Sequence, residues 1–352
     1  EGIASPLLPL SMTRHLTLLL LATAPAAAFA DDVLTSAALS AMGGGAVAEP
    51  SDAIALRTNP GAIALVERYE ATLQADFGPA ADKRWGALVV DAKTNARIGF
   101  GIGYQGGQTN PPFLDAELPP FTVTGEAPVN TKDRHEIVAG LGVNALERRL
   151  SFGLSGDVRI YDDAWQGQGV TGNLAIGVAA QPIPALTIGA SVRDVLPMAA
   201  APDRPLRADL GVRGDLPAGG DVVGLAFSAQ GQIGWTDNGR PGVQQLRASI
   251  GAGGSVRGIA LRAGWAWDGD DAQWADTLGR CGHSARVGLG FATGSGSFDY
   301  AIVVPVGTDG NPTAPADLRH VLSIRVHLGA LIDDDDSRST GRSDDVRWPG
   351  NR

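Results

Sequence analysis

The sequence predicts an all-β fold: a transmembrane, antiparallel up-and-down β-barrel of about fourteen strands. Three observations predict it. From residue 71 onward apolar residues alternate with a period of two, the connections are by turns short and long, and the arginines keep to one parity of the strands.

The chain's 352 residues include 48 Gly. Residues 1–11 hold no methionine and read as sequence upstream of the start. Residues 12–30, "MTRHLTLLLLATAPAAAFA", have the parts of a secretory signal peptide: basic Arg14 and His15, an apolar run over 16–22, and Ala28-Phe29-Ala30 before Asp31. The exported chain is expected to begin at Asp31.

Residues 31–70 show no alternation. They have helical spacing at first, then glycines at 43–45, then the breaker Asn59-Pro60-Gly61 between two apolar runs.

The barrel is expected over residues 71–330. Alternating segments lie at 71–78, 84–91, 96–105, 133–144, 150–161, 170–181, 186–195, 206–215, 221–235, 244–253, 258–268, 284–293, 297–306 and 320–330. In the last of these Leu322, Ile324, Val326 and Leu328 share one face, and Ser323, Arg325 and His327 the other. Short connections (92–95, 145–149, 182–185, 216–220, 254–257, 294–296) alternate with long ones rich in Pro, Asp and Gly (106–132, 162–169, 196–205, 236–243, 269–283, 307–319). The first hairpin, 79–83, is the exception. A soluble sandwich has no reason to sort its loops so; an outer-membrane barrel has short periplasmic turns and long outer loops.

Arg97, Arg159, Arg193, Arg207, Arg213, Arg247, Arg262, Arg286 and Arg325 all fall opposite the apolar face. An arginine facing lipid costs about 2–4 kcal/mol at the midplane, so this parity fixes the register and makes all of them but Arg97 lumen-facing candidates. Most are expected to pair with Asp157, Asp209, Asp215 and Asp299. Tyr104, Tyr161, Trp235 and Trp267, near the ends of upward strands, are expected in an outer aromatic girdle. Glycines on the inward parity (Gly99, Gly101, Gly103, Gly140, Gly142, Gly288, Gly290) mark close backbone approach and suggest that something packs inside.

The acidic tail, 331–352 with Asp333–Asp336, is expected to be disordered. The net charge of −10 argues against a nucleic-acid partner. No apolar run reaches the length of a spanning helix. The single cysteine, Cys281, reads as a loop residue. No metal or other cofactor is expected, and the scattered His135, His283, His320 and His327 form no catalytic constellation, so no enzyme activity is expected.

The stretch "GGGAVAEPSDAIALRTNPGAIAL" resembles the N-terminal region of FadL-type outer-membrane transporters and the related PorV/PorQ-like barrels. Asp52-Ala53 stands where those families have their Asp-Ala, and Asn59-Pro60-Gly61 where they have Asn-Pro-Ala-Gly, one residue longer. The stretches 298–307 and 319–329 look like the family's last two strands. The chain departs from the common pattern of outer-membrane barrels in running on past its last strand instead of ending on an aromatic residue. The resemblance implies a bacterial outer-membrane location and passive transport of hydrophobic or amphiphilic small molecules such as long-chain fatty acids. It implies contact with outer-membrane lipid. A PorV-like docking role with secretion partners, or a purely structural barrel, stays open. A lumen of this strand number is too wide for its own side chains to fill. Residues 31–70 are therefore expected to form a hatch, with Asp52, Asn59, Pro60 and Gly61 as its gating residues. Gly61 is expected to take a positive φ at a corner leading into the first strand. Exchanging Arg325 for glutamine is expected to be mild.

Overall fold

The structure, a computed structural model, describes residues 34–50, 52–65, 68–78, 83–93, 97–109, 132–163, 167–195, 206–218, 221–235, 241–270, 283–306 and 318–328. The upstream residues, signal peptide, acidic tail, Cys281 and most of the long connections lie outside the described residues.

Fourteen strands form: β1 (Tyr69–Phe77), β2 (Lys83–Asp91), β3 (Ile98–Thr109), β4 (Lys132–Ala145), β5 (Leu150–Asp163), β6 (Gly167–Ile183), β7 (Leu186–Arg193), β8 (Leu206–Ala218), β9 (Asp221–Trp235), β10 (Pro241–Val256), β11 (Ile259–Asp270), β12 (His283–Thr293), β13 (Gly296–Val306) and β14 (Arg319–His327). Each pairs antiparallel with its neighbours in sequence, and β1 pairs with β14, closing the barrel. Every alternating segment of the sequence is a strand. The ends shift because hairpin pairing carries the ladder beyond the alternation: β3 continues to Thr109, which pairs with Lys132 at the start of β4. The strands begin at Tyr69, slightly before the expected 71.

The tight connections gather at one end of the barrel. Arg257 (φ 51°) and Gly258 (φ 83°) make the two-residue link from β10 to β11, where a pair of positive φ values matches the twist of the flanking strands.

The two faces sort as the alternation requires. Leu73, Ile102 and Leu261 are 56–65% exposed, while Thr72, Arg159 and Asp299 on the opposite parity are at most 5% exposed. The outward face thus presents a continuous apolar surface, the arrangement of a lipid-facing barrel. Of the expected girdle, Tyr104 is exposed on the outward face; the side chains of Tyr161 and Trp235 lie outside the described residues.

Ile324 is 46% exposed on the outward face of β14. Ile324→Arg should destabilise the barrel by about 2–4 kcal/mol if it lies near the midplane. Urea unfolding in lipid vesicles reads this. The setting of Arg325 argues against a mild exchange. It donates to the buried Asp52 at 2.9 Å. Removing one partner of such a pair strands the other charge, which costs about 3–5 kcal/mol less whatever the new side chain recovers. Arg325→Gln should therefore cost stability as well.

Residues 34–65 pack against the inward side of the wall. They form α1 (Ala37–Ala41), α2 (Ala55–Thr58) and a 3-10 turn (Pro60–Ala64). Leu39, Ala53, Ile54, Leu56, Ile63 and Leu65 bury themselves with Leu88, Val90 and Val138 of β2 and β4 in one apolar cluster. A smaller cluster joins Ala37 and Ala41 of α1 to Ala301 and Val321 of β13 and β14.

Candidate functional site

Short polar side chains shape the inner segment. Ser36 caps α1 by accepting from Leu39 N–H at 3.4 Å. Gly43 (φ 93°) and Gly44 (φ 85°) end it, and the Gly44 N–H closes back onto the Leu39 carbonyl at 2.8 Å. Asn59 caps the 3-10 turn, its Oδ1 accepting from Gly61 N–H at 3.1 Å, with Pro60 in the first turn position, where a missing N–H costs nothing.

Asp52 ties this segment together and to the wall. One carboxylate oxygen accepts from Ile54 N–H at 3.0 Å; the other accepts from the Ser36 hydroxyl and from Arg325 of β14. Asp52 is 1% exposed, so a charge here needs all three partners. Glu70 of β1 adds a second tie, accepting from Ala53 N–H at 3.1 Å, and Arg68 donates to the carbonyls of Pro50 and Asp52.

Asn59, Pro60 and Gly61 sit against bare backbone. Gly99, Gly142, Gly153 and Gly177 face one another in direct register across β3, β4, β5 and β6. A Cβ at Gly153 would stand 2.2 Å from the Pro60 carbonyl, and one at Gly177 would stand 2.0 Å from Asn59 Oδ1. At Gly99 and Gly142 the neighbours are Ile63, Ala64 and the Pro60 carbonyl, at 3.0–3.3 Å. The Asn59 amide donates to the carbonyls of Val47 and Val178 at 2.7 and 3.0 Å, which fixes it over this track. A second seat lies on the far wall, where Gly251 and Gly264, paired across β10 and β11, meet Met42 and Gly43. Gly288 meets Ala41, whereas Gly290 makes room for Asp299 and Arg262 and Gly103 for Leu88.

Gly61 departs from expectation. It is helical, within the 3-10 turn, and is absent from the residues of positive φ. Glycine is required here by space, since a Cβ would lie 2.7 Å from the Gly177 carbonyl. Nor does this turn lead directly into the first strand, which begins only at Tyr69.

The arginines form a paired network. Arg193 meets Asp209 at 2.9 Å, Arg213 meets Asp215 at 2.9 Å and Arg262 meets Asp299 at 2.6 Å. Arg159 meets Glu136 at 2.9 Å, Arg207 meets Asp194 at 3.6 Å and Arg286 donates to the Ser284 hydroxyl at 2.9 Å. The side chain of Arg247 lies outside the described residues, and Arg97 is exposed just before β3. Among the partners that the sequence reading did not name, three ion pairs join the inner segment to the barrel. Glu136 takes Arg57 as well as Arg159, Glu49 takes Arg213, and Asp52 takes Arg325. Each links the inner segment to the wall, and no local pattern announces a partner so distant in sequence.

Beside the segment lies a cavity lined by Arg57, Glu136, Val138, Ser155, Arg159 and Ala175, among others. Arg57 Nη2 is buried with no hydrogen-bond partner among the described residues. No cluster of metal-ligating side chains occurs among the described residues.

No family model matches the chain. No curated protein matches it either. Solved structures do. The chain is similar to the toluene transporter TbuX of Ralstonia pickettii, with a TM-score of 0.54 and 13% identity over 83% of this chain and 98% of that one. It is similar to the monoaromatic hydrocarbon channel CymD, with a TM-score of 0.57 and 11% identity over 84% and 98%. It is similar to the toluene transporter TodX of P. putida, with a TM-score of 0.55 and 14% identity over 84% and 99%. At these identities the likeness is one of fold, that of an outer-membrane-type barrel.

Proposed function

We propose that the chain is a passive outer-membrane channel of the FadL type for hydrophobic or amphiphilic small molecules, fatty-acid-like ones included. Residues 34–65 act as its hatch. The observation that carries this reading is the segment itself, seated on two glycine tracks and ion-paired to the wall, with a cavity beside it. Val138 and Ala175 offer apolar contact in the cavity that also takes the guanidinium of Arg57. An amphiphile needs that pairing: burial for its chain and a donor for its head. The Arg57 Nη2 group, which has no hydrogen-bond partner among the described residues, suits an acid head. The fold shared with proteins described as hydrocarbon channels supports the same direction.

Uptake of radiolabelled oleate and toluene by cells expressing the chain tests this. Both should enter faster than into cells carrying the empty vector, and Arg57→Lys should slow oleate more than toluene, because lysine loses the planar fork. Uptake of neither compound above the vector control would refute transport. An Arg57→Lys variant that slows both equally would refute the head-group role.

A further inference from the structure

Three of the histidines read as scattered in the sequence occupy one repeated geometry. His135 on β4 stands directly opposite Gly106, two residues beyond Tyr104 on β3. His283 on β12 stands opposite Trp267, two residues beyond Trp265 on β11. His320 on β14 stands opposite Ile302, two residues beyond Tyr300 on β13. Each aromatic ring thus reaches its histidine along the same cross-strand diagonal.

The contacts repeat as well. The Tyr104 and Tyr300 hydroxyls each lie 2.7 Å from a histidine Nδ1, and the Trp265 indole N–H donates to His283 Nδ1 at 3.2 Å. Both tyrosine–histidine pairs stack, with ring centroids 6.1 Å apart. An indole nitrogen only donates, so Nδ1 of His283 is an acceptor and its proton sits on Nε2. A tyrosine hydroxyl can donate or accept; where it donates to Nδ1, His135 and His320 carry the same tautomer. Each imidazole so held has one N–H donor left over.

All three hairpins place this pair on the outward face, near the end that carries the long connections. Phe77 stands opposite His320 across β1 and β14, and Trp85 is exposed nearby on β2. Gly106 leaves space where the Tyr104 hydroxyl and the Trp85 indole converge. The aromatic and imidazole groups therefore run without a break over β11, β12, β13, β14, β1, β2, β3 and β4, which are adjacent in the closed barrel. On the other arc Ile160, Val170 and Val192 are exposed at this end. Among the described outward-facing side chains, the charged groups beside the belt are Lys83 and Asp133, both exposed.

We propose that this half-belt binds lipid head groups that end in a phosphate monoester, with His135, His283 and His320 as the donors. Toward the barrel middle the neighbouring outward residues are apolar (Ile137, Val287, Ile324), so the molecule that meets these imidazoles is the lipid whose chains cover that surface. A donor at the boundary between chain and head group selects an acceptor there, and a phosphate monoester supplies the strongest. Lys83 adds a matching charge. The inference is independent of what passes through the lumen.

Native mass spectrometry of the purified chain with equal amounts of phosphatidic acid and phosphatidylcholine of the same chain length tests it. The wild type should retain phosphatidic acid roughly tenfold over phosphatidylcholine, the size of one or two charge-assisted hydrogen bonds at an exposed site. The triple exchange H135F/H283F/H320F keeps the rings and removes the donors, and should bring the ratio near unity. The triple exchange to glutamine keeps an N–H and should retain most of the preference. An unselective wild type, an undiminished ratio in the phenylalanine variant, or equal loss in both variants would overturn the proposal. Folding of each variant is checked by the heat-dependent shift of its electrophoretic band.

Discussion

Deleting residues 36–58 should convert a closed barrel into an ion-conducting one. The deletion removes α1, α2, and the groups at Glu49, Asp52 and Arg57 that meet Arg213, Arg325 and Glu136 on the wall. The strand ladders do not depend on these residues, since each is paired on both sides by other strands. What remains is a fourteen-strand cylinder, wider than its own inward side chains can fill. Single-channel recording in planar bilayers should show a wild type near baseline and a deletion variant with frequent, large openings. The same variant should take up labelled toluene at an altered rate. Unchanged conductance would show that the segment does not obstruct the lumen. Unchanged uptake beside raised conductance would move the reading from transport to a docking barrel.

The second large effect is expected at Gly177, where a single methyl group should disturb the inner segment. The added carbon would lie 2.0 Å from Asn59 Oδ1 and 3.0 Å from both Pro60 Cδ and the Gly61 nitrogen. Asn59 cannot swing aside cheaply, because its amide is held by the Val47 and Val178 carbonyls and its oxygen caps the turn. Forcing a carbon into a packed site costs about 1–3 kcal/mol. Here the displaced part is the inner segment rather than the barrel. Gly177→Ala should therefore leave the unfolding midpoint of the strands almost unchanged while speeding proteolysis within 34–65 and raising conductance. Adding Asn59→Ala to Gly177→Ala removes the clashing atom and should recover part of the closed behaviour, although the cap is then lost. Two exchanges that simply added, with no recovery in the double variant, would show that Asn59 is not what the methyl group meets.

The sequence by itself determined the wall. Which residues face lipid is a matter of parity within each strand, a local property, and the penalty for misplacing an arginine or a leucine enforces it residue by residue. Strand number, the order of short and long connections, and the sides taken by Ile324 and Arg325 were all legible in this way. The tertiary structure decided who meets whom across strands. Gly99, Gly142, Gly153 and Gly177 form one track only because four registers align them. Likewise Asp52 meets Arg325, and Tyr104 meets His135, through closure and pairing that no local pattern encodes. Gly61 shows the difference most simply. From the sequence a glycine after proline suggested a need for unusual φ, whereas the fold requires it because another backbone passes within contact distance, a constraint that exists only once the barrel has closed around the segment.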